Sequence, residues 1–379
     1  MVERMNHYVK TMSGSGIRAF TAMAKATEDC AMLTIGEPDF NTPDAIKDAC
    51  KAALDRNETH YPVTVGDLRL RESISEFERR TRGLSYNTDE IIVTDGASEA
   101  LFTALHGILD PGDQVVIPTP AFGLYAAIVE MAGGVPVFLD TTKEDFQISA
   151  EKLSACLTDR TKALILTSPN NPTGCVYTQA TLDAVHDLVK DLPIFILCDD
   201  VYNRIVYGPC PGFYQFQDLR DRLLLIQSFS KPYAMTGWRM GYLMADKPVA
   251  KKLALYHGNV VVSVSSICQS PCITALDCDI SEMVETYRRR RDHICTRLDE
   301  IGLPYVMPQG AFYVFPSVRD YTNDTNEFCT RMIREGKVAV VPGACFNAEG
   351  YIRLSYCYSL PEIDKAMDRL GNFLLQNKP

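Results

Sequence analysis

No stretch of the 379-residue sequence approaches the roughly 18 consecutive apolar residues that a membrane-spanning helix needs. The opening residues, MVERMNHYVK, lack the apolar middle of a secretory signal, so a cytoplasmic location is expected. An excess of basic residues is missing as well. With 38 Lys and Arg against 48 Asp and Glu the formal charge is −10, so neither nucleic acid nor an anionic membrane is an expected partner. There is no CxxC pair among the 13 cysteines, and the closest two, Cys268 and Cys272, have no second pair and no nearby histidines. Reduced, mostly buried thiols are therefore expected in place of disulfides or zinc, and no metal is expected. Neither a GxxxxGK[ST] loop nor a GxGxxG fingerprint occurs, which argues against ATP or NAD as the bound anion.

What is present points to an α/β protein. The length exceeds what one hydrophobic core usually organises, so a large and a smaller domain are expected. Short β-rich runs occur at EIIVT, QVVIP, VPVFLD, ALILTS, IFILC and LLLIQS, several with helical patterns between them, the pattern of a mostly parallel sheet. Five of these runs lead into small or polar residues: DGAS, TPAF, PNNPTG, DDVY and FSK. Ligands of open α/β sheets bind outside the carboxyl ends of the strands, so five ends converge on one site. The basic run Arg288 to Arg291 lies in a helical pattern whose Met283, Val284, Tyr287, Ile294, Leu298 and Ile301 face inward; a solvated, ion-paired helix side is expected there.

Two segments carry candidate chemistry. In SFSKPYAMTGWRMG, residues 228 to 241, two serines, Lys231 and Arg239 stand among apolar neighbours, where a cation needs an anion or a chemical purpose. In DGASEALFTALHGILD a small-residue turn opens a helix, and free N–H groups there make an anion site. Gly96 and Ala97 allow close approach, and Ser98 offers a hydroxyl that could equally cap the helix. Ser228 and Arg239 supply a second hydroxyl and a charged fork.

With TSPNNPTG, CDDVYNRIVYG, IGEPDFNTP, GAFYVFP and YIRLSY in order around it, SFSKPYAMTGWRMG makes nearly the whole chain resemble the class I/II aminotransferases of pyridoxal phosphate (PLP) fold type I. The resemblance implies α/β architecture: a large PLP-binding domain, 45–280, with a mostly parallel central sheet, and a smaller α+β domain formed by both chain ends, 1–44 and 281–379. It implies that Lys231 forms the Schiff base with the cofactor and later acts as the general base. Asp199, otherwise a turn or cap residue like its neighbour Asp200, would ion-pair with the pyridinium nitrogen and keep the ring an electron sink. Asn171 and Tyr202 would bond the ring oxygen, and Phe122 would stack on the ring or else be ordinary core. Gly96, Ala97, Ser98, Ser228 and Arg239 would form the phosphate cup, with Ser230 as a supporting contact. Tyr61 would reach the phosphate in a partner subunit, making a homodimer, though an isolated loop tyrosine also serves packing.

For the substrate, Arg353 in YIRLSY matches the family's α-carboxylate arginine; alternation puts it on one strand face with Tyr351 and Ser355, where an exposed sheet face is the other explanation. Gly36 would approach the same carboxylate. The implied activity moves an amino group from an L-amino acid to a 2-oxo acid, expected to be 2-oxoglutarate, through a pyridoxamine form of the cofactor. A PLP-dependent carbon–sulfur β-lyase and a PLP-binding regulatory module are the alternatives; the module would need a DNA-reading domain, for which no room is seen before SGIRAF. The stretch LYHGNVVVSVSSICQS lacks the second arginine of dicarboxylate-specific relatives. Arg18, after the small residues Ser13 to Gly16, is the candidate for a second carboxylate, or else a solvated ion-pair residue.

Overall fold

The computed structural model describes residues 1–12 and 14–377. Seven strands build the central sheet: β2 (Ile91–Thr94), β3 (Gln114–Thr119), β4 (Val135–Asp140), β5 (Thr161–Thr167), β6 (Phe195–Asp199), β7 (Leu223–Ser228) and β8 (Gly241–Ala245), in the order β2-β8-β7-β6-β5-β3-β4. The six runs expected from the sequence are all strands of this sheet. β8 alone runs against its neighbours β7 and β2. The remaining neighbours pair in parallel. The carboxyl ends of β2, β3, β5, β6 and β7 therefore share one edge, and β8 starts there.

Both faces of the sheet are covered, which is why its strands read as continuous apolar runs. Alternation splits them: Leu223 and Leu225 join one buried cluster, Leu224 and Ile226 the other. β4, at the edge, is only partly buried and tolerates Pro136. A third cluster joins Phe20, Ala24 and Leu33 to residues between Met283 and Leu374. Here β1 (Ala31–Met32) pairs in parallel with β10 (Val338–Ala339), and β9 (Tyr313–Val314), β11 (Val341–Pro342) and β12 (Ile352–Ser355) form an antiparallel sheet.

The helix Ser281–Ile301 buries Met283, Tyr287, Ile294 and Leu298 as its periodicity predicts. Its basic run is ion-paired as expected but less solvated: Arg290 is buried against Asp39, and Arg291 is only 15% exposed, its guanidinium over the Tyr207 ring. All 13 cysteines are free thiols, and none is exposed. Among the described residues no helix is long and apolar enough to cross a membrane.

Candidate active site

The register of β7 and β8 sets Ser228 opposite Gly241. The chain leaves the sheet at one and returns at the other, so Ser230, Lys231 and Arg239 are held at the shared edge. Gly241 also lets a helix approach. A Cβ there would stand 2.8 Å from the Ala97 nitrogen and 2.7 Å from the Gln227 carbonyl oxygen, so glycine is what allows the helix Gly96–Ile108 to start directly on the sheet.

A cavity of about 270 Å³ opens at this edge. It collects Ala97 and Ser98 from the helix start, Phe122 from the loop after β3, Asn171 from the loop after β5, and Asp199 and Tyr202 from the end of β6. Ser228, Ser230, Lys231 and Arg239 line it from the β7 to β8 excursion, and Gly36 and Arg353 from the chain ends. Gly96 stands behind Arg239: its φ is +71°, and a Cβ would lie 2.4 Å from an Arg239 Nη atom. Tyr61 is 89% exposed and lies outside the cavity. Arg18 is exposed on the helix Gly16–Ala26, while its neighbour Ile17 lines the cavity. Of the small-residue lead-in before it, Ser13 lies outside the described residues, and Ser15 stands at the cap position of the helix without a side-chain capping bond.

Three local expectations are corrected. Ser98 does not cap its helix, because the helix already begins at Gly96 with Asp95 at the cap position; Glu99 Oε2 accepts from the Asp95 N–H at 3.1 Å. Asp200 opens the turn after β6, its carbonyl accepting from the Asn203 N–H at 2.9 Å, but its carboxylate caps nothing: Arg82 donates to it at 2.6 Å, and the same guanidinium is paired with Glu78 at 2.5 Å. Arg239 is exposed in the single chain, against its core-like sequence surroundings, and donates to the carbonyls of Thr236 and Asp95.

The electrostatics are those of charges kept from water. Lys231 is partly buried, its Nζ donates to the Gly36 carbonyl at 2.7 Å, and burial pulls its pKa down to about 8, with a smaller push from Arg353 and Arg239. Asp199 goes the other way. Burial raises its carboxyl to about 6, although the Tyr125 hydroxyl donates to it at 2.6 Å and opposes the rise. Tyr202 and Tyr313 share a hydroxyl contact of 2.8 Å, and burial lifts Tyr313 to about 12. Arg353 is 2% exposed, so the exposed-face explanation fails. Its Nη atoms donate to Asn171 Oδ1 at 3.0 Å and the Thr34 carbonyl at 2.6 Å, and its guanidinium lies 4.6 Å from the Tyr313 ring centroid. Its Nε is buried without a partner.

Tyr125 and Tyr313 were not among the sequence candidates. Tyr125 follows TPAF by three residues and Tyr313 sits inside GAFYVFP, but nothing in an apolar stretch tells a hydroxyl aimed at a site from a core aromatic. A neighbouring cavity of about 280 Å³ is lined by Arg82, Asp200 and Tyr242. Its charges already satisfy one another, Tyr242 donating to Glu78 and Arg82 bridging Glu78 and Asp200. The unpartnered Arg353 Nε and the low-pKa amine both belong to the first cavity.

These residues fit PLP and an amino acid: an amine half neutral near pH 8, a buried carboxylate, a glycine-lined helix start beside an arginine, and an unpartnered Nε for a carboxylate. Comparison with known proteins agrees. Residues 28–370 match the family Aminotransferase class I and II. The chain is 36% identical to a probable N-acetyl-LL-diaminopimelate aminotransferase of Bacillus subtilis, over 100% of this chain and 98% of that protein. It is also 36% identical to aromatic-amino-acid aminotransferase 2 of Thermococcus litoralis, over 98% of each. Its structure resembles that of aspartate aminotransferase from Thermotoga maritima with a TM-score of 0.94 at 34% identity, covering 98% of this chain and 100% of that one. With this identity along essentially its full length, and an α/β fold shared with its relatives, the chain belongs to the class I and II aminotransferases, enzymes that depend on pyridoxal phosphate.

Proposed function

We propose that this aminotransferase moves the amino group of an L-amino acid to 2-oxoglutarate, with the α-carboxylate of each held by Arg353. The observation that carries this reading is the buried Arg353 guanidinium, which has an unpartnered Nε in the cavity that also holds Lys231. When bound, PLP supplies an electron sink for the charge left at the substrate Cα once its proton is removed. Lys231 would carry the cofactor and move that proton. Asp199, kept in place by Tyr125, would meet the ring nitrogen, and Asn171 and Tyr202 the ring oxygen, with Phe122 against the ring. The start of the helix at Gly96, Ala97 and Ser98, together with Ser228, Ser230 and Arg239, would hold the phosphate. Gly36 would line the carboxylate's place beside Arg353.

The reading includes a homodimer in the cytoplasm, with Tyr61 reaching the partner's site, and two domains, 45–280 and the joined ends 1–44 and 281–379. Supporting the latter, the chain ends share one buried cluster, which Tyr202, Ile205 and Tyr207 of 45–280 also join, while two other clusters lie within 45–280. Arg18 enters as the reader of a second carboxylate, one residue from the cavity-lining Ile17.

Initial rates for a panel of amino donors against 2-oxoglutarate, pyruvate and oxaloacetate test the function. Turnover should require an oxo acid. Pyruvate and ammonia release from cystathionine without one would replace the reading with a carbon–sulfur lyase. In the same panel Arg18→Ala should weaken 2-oxoglutarate far more than pyruvate, by about 1.5 to 3 kcal/mol for a lost charged hydrogen bond. Equal losses would remove Arg18 from substrate recognition.

A further inference from the structure

Two arginines of the run 288–291 turn inward: Arg291 covers the Tyr207 ring, and Arg290 makes an ion pair with Asp39. Arg290, on the helix Ser281–Ile301, forks onto Asp39, with Nη1 donating to Oδ1 at 2.8 Å and Nη2 to Oδ2 at 2.7 Å. Its guanidinium lies 5.7 Å from the ring centroids of both Phe40 and Tyr287, and those two rings meet edge to face at 5.5 Å. Asp39 belongs to a stretch, 35–43, that is neither helix nor strand. Among the described residues, none from 36 to 41 makes a backbone-to-backbone hydrogen bond. Side chains therefore hold the stretch in place, and the Asp39 fork is its one ion pair among the described residues.

That same stretch brings the Gly36 carbonyl to 2.7 Å from Lys231 Nζ. Gly36 is pressed so closely on Tyr313 that a Cβ would stand 2.2 Å from the hydroxyl oxygen. A shift of the stretch is a shift of the acceptor on which the amine rests.

We propose that Arg290 is a positioning residue for amino transfer: through Asp39 it fixes the Gly36 carbonyl, and so the stance of the Lys231 amine that moves the proton at the substrate Cα. The inference rests on the assignment of Lys231 given above. A lysine side chain has four rotatable bonds, and a misplacement of about 1 Å at a reacting group lowers the rate about a hundredfold. Arg290 is suited to the task because its planar fork fixes direction as well as charge.

The test uses the PLP-loaded protein with Arg290→Gln, Arg290→Lys and the near-isosteric Asp39→Asn, the last guarding against a variant that does not fold. Single-turnover reaction with an active donor, protonated or deuterated at Cα, reads proton transfer directly. A pH titration of the absorbance of the cofactor on Lys231 reads the amine's surroundings without turnover. Arg290→Gln and Asp39→Asn should slow proton transfer by about tenfold or more, enlarge the isotope effect and shift the titration, with cofactor content unchanged. Arg290→Lys should recover part of the rate. A wild-type rate and isotope effect in both variants overturns the proposal, as does a loss explained wholly by lost cofactor. Failure of the wild-type protein to trap PLP on Lys231 would instead defeat the assignment of Lys231, which separates the two failures.

Discussion

Lys231 and Asp199 border the same cavity and depart from their ordinary pKa values in opposite directions, for the same reason. Burial disfavours whichever form is charged, so the lysine loses its proton more easily and the aspartate keeps its own longer. For Lys231 the consequence is kinetic, since only a neutral amine attacks an aldehyde. An ordinary lysine, at 10.5, would be almost wholly protonated at neutral pH; with its pKa at about 8, Lys231 is half neutral near pH 8. The rate at which cofactor-free protein captures PLP should climb about tenfold per pH unit below 8 and level off above it. Borohydride trapping at timed intervals measures this. A rate still climbing at pH 10 would mean an ordinary lysine. Asp199 should remain largely ionised above pH 6, and more so once a cationic ring nitrogen stands beside it.

At the scale of the element, the site depends on how β8 meets the helix Gly96–Ile108. The helix start lies against Gly241, and Arg239 occupies the space that a side chain at Gly96 would take. Gly241→Ala places a methyl group against backbone atoms on two sides, which cannot rotate away. The variant should lose about 1 to 3 kcal/mol in urea unfolding and release PLP more readily, because the helix start is pushed off the sheet. Unchanged stability and retention would show that the helix has room to move. Much at this scale was legible in advance. Five of the six β-rich runs are buried between two layers, the edge run VPVFLD only partly, and a run such as LLLIQS needs no partner information to be recognised. The direction of β8 was not legible, since parallel and antiparallel strands carry the same side chains. Arg290 was hidden for a related reason: an inward arginine in a run of four looks like any solvated one until Asp39, 251 residues away, is seen beside it.

For the whole molecule, the proposed homodimer needs an exposed apolar face. Tyr61 and Val63 are 89% and 61% exposed, and Val262 is 58% exposed in a left-handed conformation that β-branched residues rarely adopt. The two segments adjoin, because His257 bonds the Thr64 carbonyl at 3.0 Å. Apolar side chains gathered on one surface fit burial against a second copy. Sedimentation should give a dimer for the wild type and a poorly active monomer for Val262→Asp; a persistent, active dimer would place the interface elsewhere. Most residues lining the cavity stood in motifs spread along the chain, though Tyr125 and Tyr313 gave no sign and Tyr61 and Arg18 lie outside it; this surface was not legible at all, since exposure of a valine depends on what fails to cover it.

The two direct contacts of Arg353 join residues 182 and 319 positions apart in the chain. During synthesis, β2 to β8, Lys231 and Asp199 are all in hand by residue 245, whereas the proposed carboxylate clamp cannot exist until residue 353 has been added and brought back to Thr34. On the proposed assignments, a growing chain acquires the parts that would hold the cofactor well before it has the part that would admit a substrate, so reactivity toward amino acids would arrive last.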